Sequence, residues 1–374
     1  MASKSGKGLE GVIAAQTSIS DIDGQKGVLY YAGYDIHDLA PNATFEEITY
    51  LLHHLDLPTE DQLSDLRNQL AREREPNELA MELLPTLAET SAPMSVLRTA
   101  TSASSAKDPD GWDTSPEANY RKAMRLVSVF PTFVAYYDRL RKEQQLIPPD
   151  ESLSTAANFL YMLKGDKADD ASARIFDMCL VLHADHTMNA STFAARVCAA
   201  TLSDIHSAIT AGIAALKGPL HGGANEAVMK MIKEIKTPDK AADYLRNKLA
   251  NKEKVMGFGH RVYKTEDPRA THLRRMAKEL ADKSGDGNNY EISEVLEKTM
   301  LDEKGLYPNV DFYAASVYGY LQIPTDLFTP IFACSRVSGW TAHVREQYAD
   351  NRLIRPDHEY VGPDPRPWVA LDAR

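Results

Sequence analysis

Apolar residues recur along most of this chain at the spacing of an amphipathic α-helix. Ile48, Leu51 and Leu55 form one such stripe, because residues three and four apart share a helix face. The stripe begins after TFEE at residues 44–47, and a similar segment begins with TEDQ at 59–62. Both tetrapeptides fit the capping box, in which the first and fourth side chains satisfy backbone N–H groups at a helix start. The pattern therefore predicts helices from these points.

One segment near the start departs from the helical spacing. Residues 17–22 and 28–31 flank the turn-forming sequence DGQKG at 23–27. Two short runs around a glycine-containing turn are typical of a β-hairpin. The chain is therefore predicted to be all-α with one minor N-terminal hairpin.

Proline and glycine mark further helix boundaries. Ser115-Pro116 and Thr237-Pro238 each place an N-cap residue before a proline at the first helical position. The stretches at 108–111, 147–150 and 284–289 are rich in Pro, Gly, Asp or Asn. We predict loops between helices there rather than long linkers.

Composition excludes several classes of protein. The 374 residues are 43% hydrophobic, enough for a substantial core, and the net charge of −11 comes without the basic stripe of a nucleic-acid-binding protein. The three cysteines form no C-x-x-C pair, which argues against a disulfide framework and a zinc site. No apolar run approaches ~18 residues and no signal-peptide core is visible. We expect a cytoplasmic protein that binds neither nucleic acid nor membrane.

Four segments combine His, Arg or Asp with Gly or Pro, and these are the candidates for chemistry. In the first, at residues 182–192, His183 and His186 are three apart and would share a face on a helix. Such a pair could bind a metal, but H-x-x-H without a following acid at ligand spacing is a weak zinc signature. Either histidine could equally be structural, and we predict no metal site.

The second segment, KGPLHGGANE at 217–226, contains His221. Gly218 and Pro219 end one helix and the apolar pattern restarts after Gly223, so His221 should lie near a helix N-terminus. The positive end of the helix dipole disfavours imidazolium there and favours a neutral hydrogen-bond donor. The alternative is a helix-ending turn in which the histidine is incidental.

The third segment, at residues 254–269, is a basic loop. Lys254, Arg261, Lys264 and Arg269 surround a G-x-G sequence that has neither a third glycine nor a preceding strand. It is therefore not a dinucleotide fingerprint. The charge suits a polyanionic ligand, although a solvated basic loop would have the same composition.

The fourth segment contains an acid and an arginine in apolar surroundings. Asp311 lies between Val310 and Phe312, and desolvation there would raise its pKa and make it a usable general base. It could also be the N-cap of the following helix. Arg336 follows the apolar run 329–334, so we expect it to be partly buried, and it would then need an anionic partner.

At these segments the sequence resembles the citrate synthase family. The strings HADHTMNASTF, GPLHGGANE, MGFGHRVYK, TEDPR, PNVDFY, SRVSGWTAH and NRLIRP are similar to the family's site motifs and occur in the same order. The resemblance covers essentially the whole chain, and the length is similar to that of the short bacterial and archaeal dimeric type. Ala32 and Ala92 depart from the Arg and His that are frequent in relatives, outside the catalytic motifs.

The resemblance implies an enzyme, an acyltransferase of the tricarboxylic acid cycle that condenses acetyl-coenzyme A with oxaloacetate and water to give citrate. Asp311 would take a proton from the acetyl methyl group while His221 donates a hydrogen bond to the thioester oxygen. His260 would polarise the oxaloacetate ketone and protonate the new alkoxide. A weakly acidic α-proton requires such a base together with a donor at the developing oxyanion.

The other matched residues would hold the substrates. The resemblance implies that oxaloacetate contacts His186, Arg269, Arg336 and, from the neighbouring subunit of a homodimer, Arg355. Guanidinium groups match its two carboxylates. Coenzyme A would contact the basic loop through Lys254, Val255, Met256, Gly257, Phe258 and Lys264. No metal and no cofactor is implied beyond the coenzyme A thioester, which is a substrate.

The resemblance also implies two domains. A large helical domain is expected at residues 1–220 and 327–374, and a small domain that carries the coenzyme A loop at 221–326. Closure of the small domain over the large one would exclude water until condensation is complete.

Two alternatives remain open. A 2-methylcitrate synthase would use propionyl-coenzyme A and share all of these residues, although the bulky side chains at 310–313 favour the smaller acetyl group. A catalytically silent helical assembly protein could keep the fold. The intact set of His221, His260 and Asp311 argues against the silent protein, which has no need of these three residues.

Overall fold

The computed structural model describes residues 7–9 and 11–374; the start of the predicted large domain at residues 1–6 lies outside the described residues. Helices dominate, as predicted. In chain order they are α1 Ile36–Asn42, α2 Phe45–His54, α3 Glu60–Arg72, α4 Glu78–Thr90, α5 Pro93–Ser104, α6 Pro116–Arg141, α7 Thr155–Lys164, α8 Asp170–His183, α9 Ala190–Ala199, α10 Ile205–Leu216, α11 Ala224–Ile235, α12 Ala241–Ala250, α13 Pro268–Ser284, α14 Asn288–Lys304, α15 Val310–Tyr320 and α16 Phe328–Ala349.

The predicted hairpin is present and forms part of a small antiparallel sheet. Strand β1 (Ser20–Asp23) pairs with β2 (Val28–Tyr31), and β2 pairs with a short β3 (Tyr34–Asp35) that the sequence did not predict. The first strand begins three residues later than predicted. The Asp23 carboxylate closes the turn by accepting the backbone N–H groups of Gln25 and Lys26 at 3.1 and 3.0 Å.

Most of the predicted helix starts are confirmed by their caps. Thr44 and Thr59 each form the complete capping box, and Ser115 accepts the N–H of Ala118 at 3.2 Å. Thr237 occupies the predicted N-cap position with Pro238 at the helix start, but its side chain makes no capping hydrogen bond. A short 3₁₀ turn, Pro238–Lys240, intervenes there before α12 begins.

The core is organised around α16. This helix packs against α6, α8, α9 and α10, and buried residues occur on every face of it. A helix that is apolar all round is expected only in an interior. Trp340 lies at its centre, where α10 comes close enough that a Cβ on Gly212 would be 3.3 Å from the indole ring. Arg336 sits one turn earlier in the same buried helix.

Helices α11 to α15 pack mainly with one another, through the pairs α11–α15, α12–α14, α13–α15 and α14–α15. They fall within residues 221–326, the range predicted for a small domain. The domain boundaries themselves stay a prediction. Within the described part of the chain, no helix is long and apolar enough to cross a membrane.

Candidate active site

His183 and His186 differ in surroundings and do not share a helix face. Helix α8 ends at His183, whose buried Nδ1–H donates to the Cys179 carbonyl at 2.7 Å, so this histidine is structural. His186 lies in the turn that follows, and its Nε2 is 3.2 Å from the hydroxyl of Tyr263. The residues that the structure describes contain no cluster suited to a metal ion. Because α8 ends at His183, the prediction that His183 and His186 share a helix face is wrong.

His186 lies among the other predicted site residues. Its ring is 5.2 Å from that of His260, centroid to centroid. Burial lowers the pKa of His186 well below its ordinary value, and electrostatic interactions with Arg269, His260, Arg336 and His221 lower it further. The structure thus brings five predicted residues, from four separate segments of the chain, into one electrostatic neighbourhood.

His260 is held in a single tautomer. Its Nδ1 accepts the backbone N–H groups of Val262 and Tyr263, at 3.0 and 3.2 Å. Because an amide N–H can only donate, the neutral ring must carry its proton on Nε2. Burial lowers the pKa of His260 to about 4, with a further contribution from Arg269. At neutral pH the residue is an uncharged Nε2–H donor.

His221 is held in the opposite tautomer. Its Nε2 lies 3.3 Å from the backbone N–H of Ser191 and 2.8 Å from the Ser191 hydroxyl, which itself accepts the Trp340 indole N–H at 3.1 Å. The ring proton is therefore on Nδ1. Burial, followed by the charge of Arg336, lowers the pKa of His221 to about 4. The predicted position before a helix start is confirmed, since α11 begins at Ala224.

Asp311 is a carboxylate without a hydrogen-bonding partner at one oxygen. Its Oδ1 is buried and accepts no hydrogen bond from the described residues. Burial raises its pKa to about 7, against the opposing charge of Arg269. The alternative role as an N-cap is wrong, because Asn309 caps α15 and accepts the Asp311 N–H at 3.1 Å. The desolvation predicted from its apolar neighbours is therefore present, and the role of general base stays a prediction.

Arg269 is buried at the start of α13 and is held by an acid that sequence reasoning missed. Its Nε and Nη2 donate to the two oxygens of Asp267 at 2.9 and 2.8 Å. Asp267 is also the N-cap of α13, and its Oδ2 accepts the N–H of Val310 at 3.2 Å. One carboxylate thus ties Arg269 to the helix that carries Asp311, and the Nη1 side of the guanidinium remains for a second anion.

Arg336 is fully buried, beyond the partial burial predicted, and lacks an acidic partner. Its Nε donates to the His183 carbonyl at 2.8 Å and its guanidinium lies 4.6 Å from the Phe332 ring centre. Burial lowers the pKa of Arg336 to about 10, and no described carboxylate forms an ion pair with it. Asp185 and Asp311 act on it only from beyond ion-pair distance. A desolvated guanidinium without a carboxylate in direct contact is stabilised when an anionic ligand binds it.

The predicted coenzyme A loop is fastened to the segment before Asp311. The Gly257 carbonyl accepts the Asn309 N–H and the Gly259 N–H donates to the Tyr307 carbonyl, both at 2.9 Å. Gly257 has φ +88°, and a Cβ there would lie 2.8 Å from the ring of Phe312. A glycine is therefore required at this position both by backbone conformation and by space.

The side chains of this loop differ in exposure. Lys254 and Lys264 are exposed, whereas Val255, Met256 and Phe258 are partly buried against the core. The Lys264 ammonium group donates to the Arg261 carbonyl at 3.3 Å. Two exposed ammonium groups beside apolar side chains suit a ligand with both phosphates and an adenine ring.

Arg355 is not part of the buried cluster within one chain. It lies in the extended segment after α16, its side chain is 68% exposed, and it pairs with Asp357 at 3.2 Å. Its assignment to a neighbouring subunit's site stays a prediction.

The chain is similar to known proteins over its whole length. The family model described as the citrate synthase C-terminal domain matches residues 8–357. "Citrate synthase 2" of Bacillus subtilis is 52% identical over 98% of this chain and 99% of that protein. A 2-methylcitrate synthase of Shewanella oneidensis is 42% identical over 99% of this chain and 98% of its own.

A solved structure extends this similarity to the fold. It is a ternary complex of carboxymethyl coenzyme A and oxaloacetate with the citrate synthase of Thermoplasma acidophilum. Its TM-score is 0.93 at 35% identity, with 98% of each chain covered. Similarity of this extent in sequence and in fold establishes that the chain belongs to the citrate synthase family of acyltransferases.

Proposed function

We propose that this protein catalyses the condensation of acetyl-coenzyme A with oxaloacetate, and that the buried cluster around Asp311 is the catalytic site. One observation carries the proposal. Two histidines of opposite tautomer, both uncharged at neutral pH, lie near two buried guanidinium groups. The same two guanidinium groups lie near a carboxylate that has no hydrogen bond at one oxygen. This set contains a base, two neutral donors and two anion-binding groups, which are the parts that the reaction needs.

Oxaloacetate would bind first. Its carboxylates would supply the counter-ion that Arg336 lacks and would occupy the free side of Arg269, with His186 as a further neutral donor. Because both guanidinium groups are already desolvated and fixed, binding costs little side-chain ordering. The Thermoplasma structure, a complex with oxaloacetate and carboxymethyl coenzyme A, supports this substrate pair.

Asp311 would then remove a proton from the acetyl methyl group. A base whose pKa is near 7 is half ionised at neutral pH and is stronger than an ordinary aspartate. As the C–H bond breaks, negative charge develops on the thioester oxygen, and the Nδ1–H of His221 would donate to it. A neutral imidazole suits this step because it stabilises the enolate without first protonating the substrate.

The enolate carbon would next attack the ketone carbon of oxaloacetate. The Nε2–H of His260 would polarise the ketone oxygen and transfer its proton to the alkoxide as the C–C bond forms. Water then hydrolyses the citryl thioester, which releases coenzyme A and citrate. Enolisation and condensation use side chains of this protein, and the proton that Asp311 gained must return to His260 before the next turnover. We propose that no metal or further cofactor takes part.

We also propose that the active unit is a homodimer and that Arg355 completes the oxaloacetate site of the partner. The extended segment that carries Arg355 has exposed apolar side chains, among them Leu353, Val361 and Trp368. A run of exposed apolar residues beside an exposed arginine is more typical of a segment covered by another chain than of a free surface.

A 2-methylcitrate synthase remains the second candidate, because a relative with that name is 42% identical over nearly the whole chain. Release of free thiol from acetyl- and propionyl-coenzyme A, each with saturating oxaloacetate, tests both. We expect thiol release from both thioesters and a higher kcat/KM for acetyl. Thiol release from neither would favour the catalytically silent protein.

A further inference from the structure

The backbone of the N-terminal hairpin turn packs directly against the backbone of the loop that carries His260. The Lys264 N–H donates to the Gly24 carbonyl at 2.8 Å. A Cβ on Gly24 would lie 2.4 Å from the Val262 carbonyl oxygen, and one on Gly27 would lie 2.8 Å from the Glu266 carbonyl oxygen. Gly24 does not have a positive φ, so only the close approach requires a glycine there.

Gly24 packs closely against the Val262–Tyr263 peptide group, whose N–H donates to His260 Nδ1. The Val262 carbonyl and the Tyr263 N–H belong to the same peptide unit. That N–H donates to His260 Nδ1 at 3.2 Å, next to the Val262 N–H at 3.0 Å. Because a peptide is planar, displacement of its carbonyl oxygen also moves its N–H. The contact at Gly24 is thus coupled to the orientation and the tautomer of the ring.

The first strand of the same hairpin supports the turn that carries His186. The Ser20 hydroxyl donates to the Asp185 carboxylate and accepts the Thr187 N–H at 3.1 Å. Thr187 also donates to Asp185 Oδ2, at 3.0 Å. Thr187 has φ +51°, a conformation that a β-branched residue adopts only when its surroundings enforce it. Ser20 and Asp185 hold its N–H, and the Asn189 amide donates to its carbonyl at 3.3 Å.

We propose that the hairpin of β1 and β2 is a positioning element for the reaction. Its turn orients His260 through Gly24, and its first strand orients His186 through Ser20. The two rings, 5.2 Å apart, are thereby aligned by one short element although they lie more than 70 residues apart in the chain. This inference rests on the proposed function, which assigns both histidines to oxaloacetate.

The variant Gly24→Ala tests the turn. Its methyl group must displace the Val262–Tyr263 peptide, and we expect kcat/KM for oxaloacetate to fall at least ~10-fold, since a misplacement of 1 Å can cost ~10²-fold. The weakened N–H donors should also move the acidic limb of the pH profile to higher pH, because they disfavour a proton on Nδ1 in addition to the effect of burial. Gln25→Ala, an exposed change in the same turn, is the matched control and should behave as the wild type.

The variant Ser20→Ala tests the strand without adding any atom. We expect it to raise the KM for oxaloacetate more than it lowers kcat, and Ser20→Thr, which keeps the hydroxyl, to restore part of the loss. Unchanged kinetics and pH profiles in both Gly24→Ala and Ser20→Ala would overturn the proposal.

A double-mutant cycle separates positioning from a general structural effect. If Gly24 acts through His260, then Gly24→Ala should cause no further loss in a His260→Asn background. The same loss in both backgrounds would overturn the proposal. Histidine-ring ¹⁵N NMR gives a readout that is independent of activity. It should show His260 protonated at Nε2 in the wild type and a mixture of tautomers in Gly24→Ala, whereas identical spectra would overturn the inference even if the proposed function holds.

Discussion

Asp311→Asn should abolish condensation and stabilise the folded protein at the same time. The change removes the general base, and loss of such a group typically costs ~10² to 10⁴-fold in rate. It also removes a carboxylate that folding buries without a hydrogen bond at Oδ1. A buried charge of this kind opposes folding, so a neutral side chain of the same shape should relieve the penalty.

The size and the sign of the stabilisation follow from the pKa of Asp311. That pKa rises from an ordinary 3.8 to about 7 in the folded state. Between these values the folded protein holds a proton that the unfolded chain has lost, so stability falls as pH rises through this window and levels off above it. One pH unit is worth about 1.4 kcal/mol. The difference in free energy of unfolding between Asp311→Asn and the wild type should therefore grow by about 2 to 3 kcal/mol from pH 5 to pH 8, in favour of the variant.

Urea unfolding of both proteins at pH 5 and pH 8, at one fixed protein concentration, measures this difference. Comparing the two pH values cancels any pH-independent effect of the new amide. Asp282→Asn, an exposed change on α13, is the control and should show no such pH dependence. If Asp311→Asn is more stable than the wild type by the same free energy at both pH values, the account of this residue as a desolvated base is refuted.

Three further predictions follow from the site. Mixing inactive Arg355→Ala with inactive Asp311→Asn subunits should restore activity, because a mixed dimer contains one site with both residues intact. Oxaloacetate should tighten the binding of coenzyme A analogues by ~1 to 3 kcal/mol in calorimetry, since Arg269 follows the coenzyme A loop closely and ordering one should order the other. Gly257→Ala should raise the KM for the thioester at least ~10-fold, on the scale of the ~10²-fold cost of a 1 Å misplacement, because its Cβ would lie 2.6 Å from Val228.

Each of these has an outcome that contradicts it. A mixture that demonstrably exchanges subunits yet stays inactive would exclude a site shared through Arg355. Identical calorimetric affinities with and without oxaloacetate would exclude the coupling. For the loop, Gly305→Ala is the matched control, since Gly305 also has positive φ but has open space around it. Equal effects of the two glycine variants would mean that backbone strain, not the contact with Val228, limits binding.

The features that the sequence predicted well are local. Capping boxes at Thr44 and Thr59 and the hairpin turn at 23–27 are decided by residues a few positions apart, and the structure confirms them. The desolvation of Asp311 was visible in the same way, from its apolar neighbours. A wrong assignment was also local, because Asp311 has the composition of an N-cap but Asn309 occupies that position. Thr237 occupies its N-cap position without a side-chain capping hydrogen bond.

The supporting contacts of the site could not be predicted, because they join distant parts of the chain. Ser191 sets the tautomer of His221 from 30 residues away, and Asp267 links Arg269 to the start of α15. Gly24 is an ordinary turn glycine in the sequence, and only the fold places it against Val262. Ser191 lies within HADHTMNASTF, one of the motifs that carry the family resemblance. That position in a motif was the only feature of the sequence that pointed to Ser191.

The most direct test of the account is a competition between the two thioesters. Equal concentrations of acetyl- and propionyl-coenzyme A are supplied with saturating oxaloacetate, and citrate and 2-methylcitrate are quantified by mass spectrometry, so that the product ratio gives the ratio of kcat/KM. One methylene typically changes this ratio ~10 to 200-fold in a closely fitting pocket. The account predicts an excess of citrate, with a minor amount of 2-methylcitrate. An excess of 2-methylcitrate, or the absence of both products, would contradict it.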